Sequence, residues 1–173
     1  MVIIVTGAIG TGKTTVCQKV IEIARGQGYN CGGVISRKSQ NGDILVEDVK
    51  TGETRVLAST GDIFHGSHTA KYSFSPEGIA FGIEAVEKGA ASDILLVDEL
   101  GHLELRGEGF AGVVEQIAAG KVRDCILVIR KELLSAFLPR LGVDTLIFET
   151  ALDNRNQLPQ EIGLVLGRAA TAD

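Results

Sequence analysis

Residues Gly7 to Thr14 read Gly-Ala-Ile-Gly-Thr-Gly-Lys-Thr, the spacing G-x-x-x-x-G-K-[ST], directly after the apolar run Val2-Ile3-Ile4-Val5 and before a stretch with helical periodicity. Glycines let a backbone curl until its N–H groups surround phosphate oxygens, where a Cβ would clash or forbid positive φ. Ala8, Ile9, Thr11 and Thr15 complete the wall of this nest around Gly7, Gly10 and Gly12. Lys13 adds a mobile positive charge for β and γ phosphates, Thr14 offers a hydroxyl to Mg²⁺, and the helix that follows aims its positive dipole end at the same anion. The chemistry these residue types serve is the gripping of a nucleoside triphosphate.

A second acidic element follows another apolar run. Asp98-Glu99 comes directly after Ile94-Leu95-Leu96-Val97, a strand pattern that delivers a carboxylate where a Mg²⁺-supporting acid is needed. Asp98 is expected to help hold the ion, and Glu99 to orient or deprotonate the water in line with the γ-phosphate. A helix cap or a solvated loop is the competing use of such a pair. Phosphoryl transfer also calls for positive charge on the γ-phosphate as it leaves. Arg130, at the end of the Cys125–Ile129 run, is the first candidate, with Arg106 and Arg155 behind it; each also reads as an ordinary surface charge. Asn154-Arg155-Asn156 follows the last strand pattern, where a loop can stack on or hydrogen-bond a nucleobase. Helix capping competes for the same residues. Asp62, His65 and His68 stand three residues apart in a Gly/Ser-rich stretch without helical pattern, which favours a solvated loop over a metal site. The guanine-reading [NT]-K-x-D pattern is absent, so broad base tolerance is expected.

The elements that must position these groups follow from periodicity. Thr14–Gln27 has helical spacing and stops at Gly26-Gln27-Gly28. Gly33–Lys38 and Asp43–Val49 flank an Asn41-Gly42 turn, and Thr54–Ala58 extends the pattern, which predicts an inserted β-meander. Ser59–Ser75 predicts a mobile loop with one short strand. Ser75-Pro76-Glu77 opens a helix to about Lys88. Strand and helix then alternate: Ile94–Val97, Phe110–Ala119, Cys125–Ile129, Lys131–Leu138, Thr145–Phe148 and Pro159–Ala169. Near-continuous apolar strands mark a mostly parallel α/β sheet covered on both faces, with a ligand at the carboxyl ends of its strands.

At 173 residues and 45% hydrophobic content the chain fits one domain, 1–173, with a sizeable core. A net charge of −5 gives no broad field for nucleic acid or anionic lipid. No leader-like region and no apolar stretch of membrane-spanning length is evident, so a cytoplasmic protein is expected. Cys17, Cys31 and Cys125 are far apart and odd in number, which suits buried thiols rather than a disulfide framework or a zinc site. A monomer without an obligate protein partner is expected.

The segment Val97-Asp98-Glu99-Leu100-Gly101-His102-Leu103-Glu104-Leu105 resembles the D-E-[IL]-G-x-[ML]-E signature of the THEP-type nucleoside triphosphatases, small P-loop proteins. Asp153-Asn154-Arg155-Asn156-Gln157-Leu158-Pro159 is similar to that family's E/D-N-R-N-x-L-P segment. The resemblance covers nearly the whole chain in order. It implies a three-layer P-loop fold, RecA-like or kinase-like, and Mg²⁺-dependent hydrolysis of ATP, GTP and other triphosphates to the diphosphate and phosphate. It also places Gly101 and His102 beside the nucleotide. Family members often carry Lys where this chain has His102 and Met where it has Leu103; a His could replace that Lys toward phosphate only when protonated. Two other functions share the loop. A nucleotide or small-molecule kinase would place an acceptor in the Ser59–Ser75 stretch, and a slow nucleotide-dependent adaptor would act through a partner.

Overall fold

Val2-Ile3-Ile4-Val5 is rich in β-branched side chains, which pack well on a pleated surface. In the computed structural model, which describes residues 1–169, they form β1 (Val2–Thr6), buried throughout. The chain continues through α1 (Lys13–Gly26), β2 (Cys31–Lys38), β3 (Ile44–Asp48), β4 (Thr54–Ser59), β5 (Ser73–Phe74), α2 (Pro76–Gly89) and β6 (Ile94–Leu100). It then forms the short α3 (His102–Leu105), α4 (Gly112–Ala118), β7 (Asp124–Ile129), α5 (Leu134–Leu141), β8 (Thr145–Glu149) and α6 (Leu158–Ala169). α2 begins as its sequence requires, with the Ser75 hydroxyl accepting from the Gly78 amide and Pro76 in the first turn.

The strands described form one eight-stranded sheet in the order β5-β4-β3-β2-β6-β7-β1-β8. β2, β6, β7, β1 and β8 are parallel, and β3, β4 and β5 continue antiparallel from β2. One strand, β7, lies between β1, which feeds the phosphate loop, and β6, which ends in Asp98 and Glu99. The phosphate-loop strand and the acidic strand are therefore not neighbours. Side chains alternate across the sheet. Ile3, Val5, Leu96 and Ile126 pack with Val20 of α1 and Ile162 of α6 on one face. Ile4, Leu95, Val97 and Leu127 pack with Val86, Val113 and Phe137 of α2, α4 and α5 on the other. The result is three layers with both principal faces of the parallel core covered.

Three features differ from the sequence pattern. Cys31–Val34 of β2 pairs in parallel with β6, while Val34–Lys38 pairs antiparallel with β3, so β2 belongs to the core as well as to the meander. A strand opening on Cys-Gly-Gly has little β propensity, which hides its first half. β8 is an edge strand, and Leu146 and Ile147 are 44% and 48% exposed, so its apolar run is not covered on both faces. α5 runs past Pro139 to Leu141. Proline forfeits one helical hydrogen bond, but Phe137 and Leu141 are both fully buried against the sheet and hold the last turn in place.

The place of Gly33, third in β2, requires a glycine. Its φ is +101°, and a Cβ there would stand 2.0 Å from the Leu96 carbonyl oxygen on β6. Gly33→Ala is expected to destabilise the fold by about 3 kcal/mol, combining backbone strain with overpacking. A shift in the urea midpoint at constant slope measures it; an unchanged midpoint would contradict this packing. Cys17, Cys31 and Cys125 are free and buried, and burial pushes the Cys125 thiol up to about 12. Among the described residues no helix is long and apolar enough to cross a membrane.

Candidate active site

The phosphate loop leaves β1 at Thr6 and enters α1 at Lys13. Gly7 has φ +143°, and a Cβ there would lie 2.4 Å from the Thr150 carbonyl oxygen, so only glycine lets the loop start this close to the end of β8. Lys13 reaches back over the loop and donates to the carbonyls of Gly7 at 3.0 Å and Ala8 at 2.8 Å. The Thr11 hydroxyl also donates to Ala8, at 2.9 Å. Burial lowers the Lys13 pKa, the nearby Glu99 carboxylate opposes that, and Arg130 lowers it further. An ammonium group without a full countercharge is a good receiver for phosphate oxygens.

Asp98 ends the apolar part of β6 and is 1% exposed. Its Oδ2 accepts from the Thr14 hydroxyl at 2.9 Å and from the Ser36 amide at 3.0 Å. Burial raises its pKa to about 7, against the lowering effect of the Ser36 amide. A buried carboxylate with only neutral donors around it, adjoining a hydroxyl at the mouth of the loop, is a hard-oxygen donor set that fits Mg²⁺. Among the described residues no group of three His, Cys, Asp or Glu side chains could hold a metal by itself, so phosphate oxygens or water would complete that shell.

Glu99 takes a different direction from its neighbour. Its φ is +73°, the one non-glycine residue described with positive φ. The β6–β7 register shifts between Val97 and Leu100 at the same place. A bulge of this kind re-aims a side chain at a strand end, and the left-handed backbone costs about 1–3 kcal/mol that the surrounding sheet must hold. Glu99 consequently meets Arg130 at the end of β7, with Nη2 donating to Oε1 at 2.7 Å. Lys13, Asp98, Glu99 and Arg130 are thus gathered at the carboxyl ends of adjacent strands, close enough that all three others act on Lys13.

The remaining sequence candidates divide. Gly101 N–H donates to Glu104 Oε2 at 2.7 Å, and Phe110 N–H to Glu104 Oε1 at 3.0 Å, so one buried carboxylate pins both ends of the segment after Glu99. Glu104 was not among the site candidates; its signal was the Gly-x-x-Glu spacing of a capping box. His102 is exposed at the start of α3 and lines a cavity of about 610 Å³ that also reaches Thr14, Glu99 and Arg130. Asn154 uses its amide on its own loop, accepting from Ala151 N–H at 2.8 Å and donating to the Glu149 carbonyl at 2.9 Å. Arg155 lies alongside the phosphate loop, its Cδ 3.5 Å from the point a Cβ on Gly12 would occupy. Arg106 is directed elsewhere, pairing with Glu108 and donating to the His68 carbonyl. His68 meets Asp62 at 2.9 Å on an exposed loop.

A glycine loop between β1 and α1, with an acid two strands away across an interposed strand, defines a P-loop nucleoside-triphosphate-binding α/β protein. A family model described as NTPase matches residues 2–163, and the chain belongs to that family. It is 31% identical over 176 residues to the nucleoside-triphosphatase THEP1 of Thermotoga maritima, covering 96% of this chain and 95% of the relative. THEP1 of Methanopyrus kandleri is 27% identical over 92% of both chains. The crystal structure of THEP1 from Aquifex aeolicus superposes with a TM-score of 0.76 at 20% identity, covering 96% of this chain and 99% of that one, which shows the shared fold.

Proposed function

We propose that the protein is a Mg²⁺-dependent nucleoside triphosphatase that converts ATP, GTP and other nucleoside triphosphates to the diphosphate and phosphate. The observation that carries this reading is the convergence of Lys13, Thr14, Asp98, Glu99 and Arg130 on one mouth of the sheet. The loop amides from Gly7 to Thr15 and the Lys13 ammonium grip the β and γ phosphates, and Lys13 exchanges the Gly7 and Ala8 carbonyls for phosphate oxygens as it does so. Thr14 and Asp98 hold Mg²⁺, which when bound neutralises charge on the phosphate oxygens. Glu99 accepts a hydrogen bond from the water that attacks the γ-phosphorus and takes its proton.

Arg130 has two positions in this scheme. Paired with Glu99 it holds that carboxylate in one orientation. The two side chains are 32% and 39% exposed, and an ion pair so open to water contributes at most about 1 kcal/mol. Arg130 can therefore leave Glu99 for a γ-phosphate oxygen at little cost. Arg130→Ala is expected to lower turnover by about tenfold or more while the Michaelis constant changes little, because charge on the leaving phosphoryl group is stabilised mainly in the transition state. Steady-state kinetics on that variant measure the split, and an unchanged rate would remove Arg130 from the reaction. Arg155, whose Cδ lies 3.5 Å from the point a Cβ on Gly12 would occupy, is the side chain of the last loop that would meet the nucleotide, and the absence of a guanine-reading [NT]-K-x-D pattern supports broad tolerance. Three buried free thiols suit a reducing cytosol.

The test is phosphate release by purified protein with Mg²⁺ and each common triphosphate in turn, without any acceptor. Release from all of them is expected. Phosphate transfer that requires an added hydroxyl compound would replace this reading with a kinase.

A further inference from the structure

Water needs little room, yet the cavity beside Glu99 is large. Its volume of about 610 Å³ begins at Ile9 and Thr14 of the phosphate loop, passes Glu99 and Arg130, and extends between the β2–β4 meander, α2 and α3. A liquid water occupies about 30 Å³, whereas cavities of about 300–1,000 Å³ are the usual size for small-molecule ligands. The floor is apolar: Leu57, Leu103 and Phe110 are buried, and Ile44, Phe74 and Ile79 are partly so. The rim is basic. Of its charged groups, Arg37 is paired with Glu47 and Arg130 with Glu99, while the Glu104 carboxylate is taken up by the amides of Gly101 and Phe110. Among the described residues Lys38 and Lys71 have no carboxylate partner; Lys71 lies over the Tyr72 ring, 5.4 Å from its centroid, and exposed His102 stands nearby. On a chain whose net charge is −5, a mouth with two uncompensated lysines over an apolar floor is a local reversal of sign.

We propose that this cavity binds a second small molecule, an anion with an apolar or aromatic body, seated beside the γ-phosphate end of the bound triphosphate. Its body covers the Leu57, Phe74 and Phe110 floor, its acidic group meets Lys38 and Lys71, and its inner end adjoins Glu99. The proposal rests on the triphosphatase reading only for where the γ-phosphate lies. Such a molecule would sit on the route by which water reaches Glu99, which couples its binding to the rate of hydrolysis.

Anilinonaphthalene sulfonate, an aromatic body with one sulfonate, is the probe. It is titrated into the full chain in saturating ADP and Mg²⁺, so that the phosphate loop is filled. One saturable site of enhanced fluorescence is expected, weakened about tenfold by the paired change Lys38→Glu with Lys71→Glu. The pair Lys19→Glu with Lys121→Glu, exposed residues that do not line the cavity and the same change in net charge, leaves it unaltered. All four lysines are on the surface, and thermal melts matching the parent show that the variants are folded. Absence of a saturable site, equal weakening by both pairs, or no weakening by the first would overturn the proposal. Because the readout is dye fluorescence and no turnover is measured, failure of the triphosphatase reading would leave this result standing.

Discussion

Glu99→Gln is expected to keep triphosphate affinity while losing at least about a hundredfold in turnover, the range assigned to a general acid–base group. Glutamine matches the size of glutamate and can still hydrogen-bond a water, but it cannot take the proton. The backbone gives this substitution its value. Glu99 sits at φ +73° in a bulge of β6, a conformation set by its neighbours rather than by its own side chain, so the variant inherits the same aim. The lost partner on Arg130 is a half-exposed ion pair, so the fold barely registers the change. Single-turnover phosphate release and equilibrium nucleotide binding, measured together, separate the two effects. Turnover equal to the parent would exclude Glu99 from proton transfer, and lost affinity would show that it holds nucleotide rather than water.

Lys13→Ala should weaken triphosphate binding by about ten- to a hundredfold, the worth of one charge-assisted hydrogen bond, and abolish measurable turnover with it. Lys13 rests on the Gly7 and Ala8 carbonyls, where it can turn to phosphate without rearranging the loop. Its charge faces the β and γ phosphates, so the loss should be smaller for the diphosphate than for the triphosphate. Lys13→Arg should not restore activity, since a planar guanidinium does not fit a nest built for a compact ammonium. Calorimetric titration with a non-hydrolysable triphosphate and with ADP gives both affinities. Equal affinity in the parent and Lys13→Ala would contradict the cradle.

What was legible in the sequence is what is local. The phosphate loop is one continuous stretch whose geometry is dictated by its own glycines, so its residues and the flanking strand and helix could be read directly. Asp98 and Glu99 could be placed at a strand end for the same reason. The Glu99–Arg130 pair could not, because it exists only when β7 lies next to β6, and strand order is a long-range property. The two-sided role of β2 was hidden by Gly32 and Gly33, which pack closely against Gly89 and β6 but carry no strand signal. The exposure of β8 was hidden because an apolar edge strand and an apolar central strand look alike in one sequence. Glu104 followed a spacing that was readable as a cap, yet that its second oxygen reaches Phe110 depends on how the chain turns after α3.

The most direct measurement of the central claim is a crystal structure of the protein with Mg²⁺ and a non-cleavable triphosphate analogue. The account predicts γ-phosphate oxygens within hydrogen-bond reach of Lys13 and the loop amides, and a water in line with the γ-phosphorus held by the Glu99 carboxylate. An analogue bound away from the loop, or a Glu99 still turned from any water near the γ-phosphorus, would contradict it.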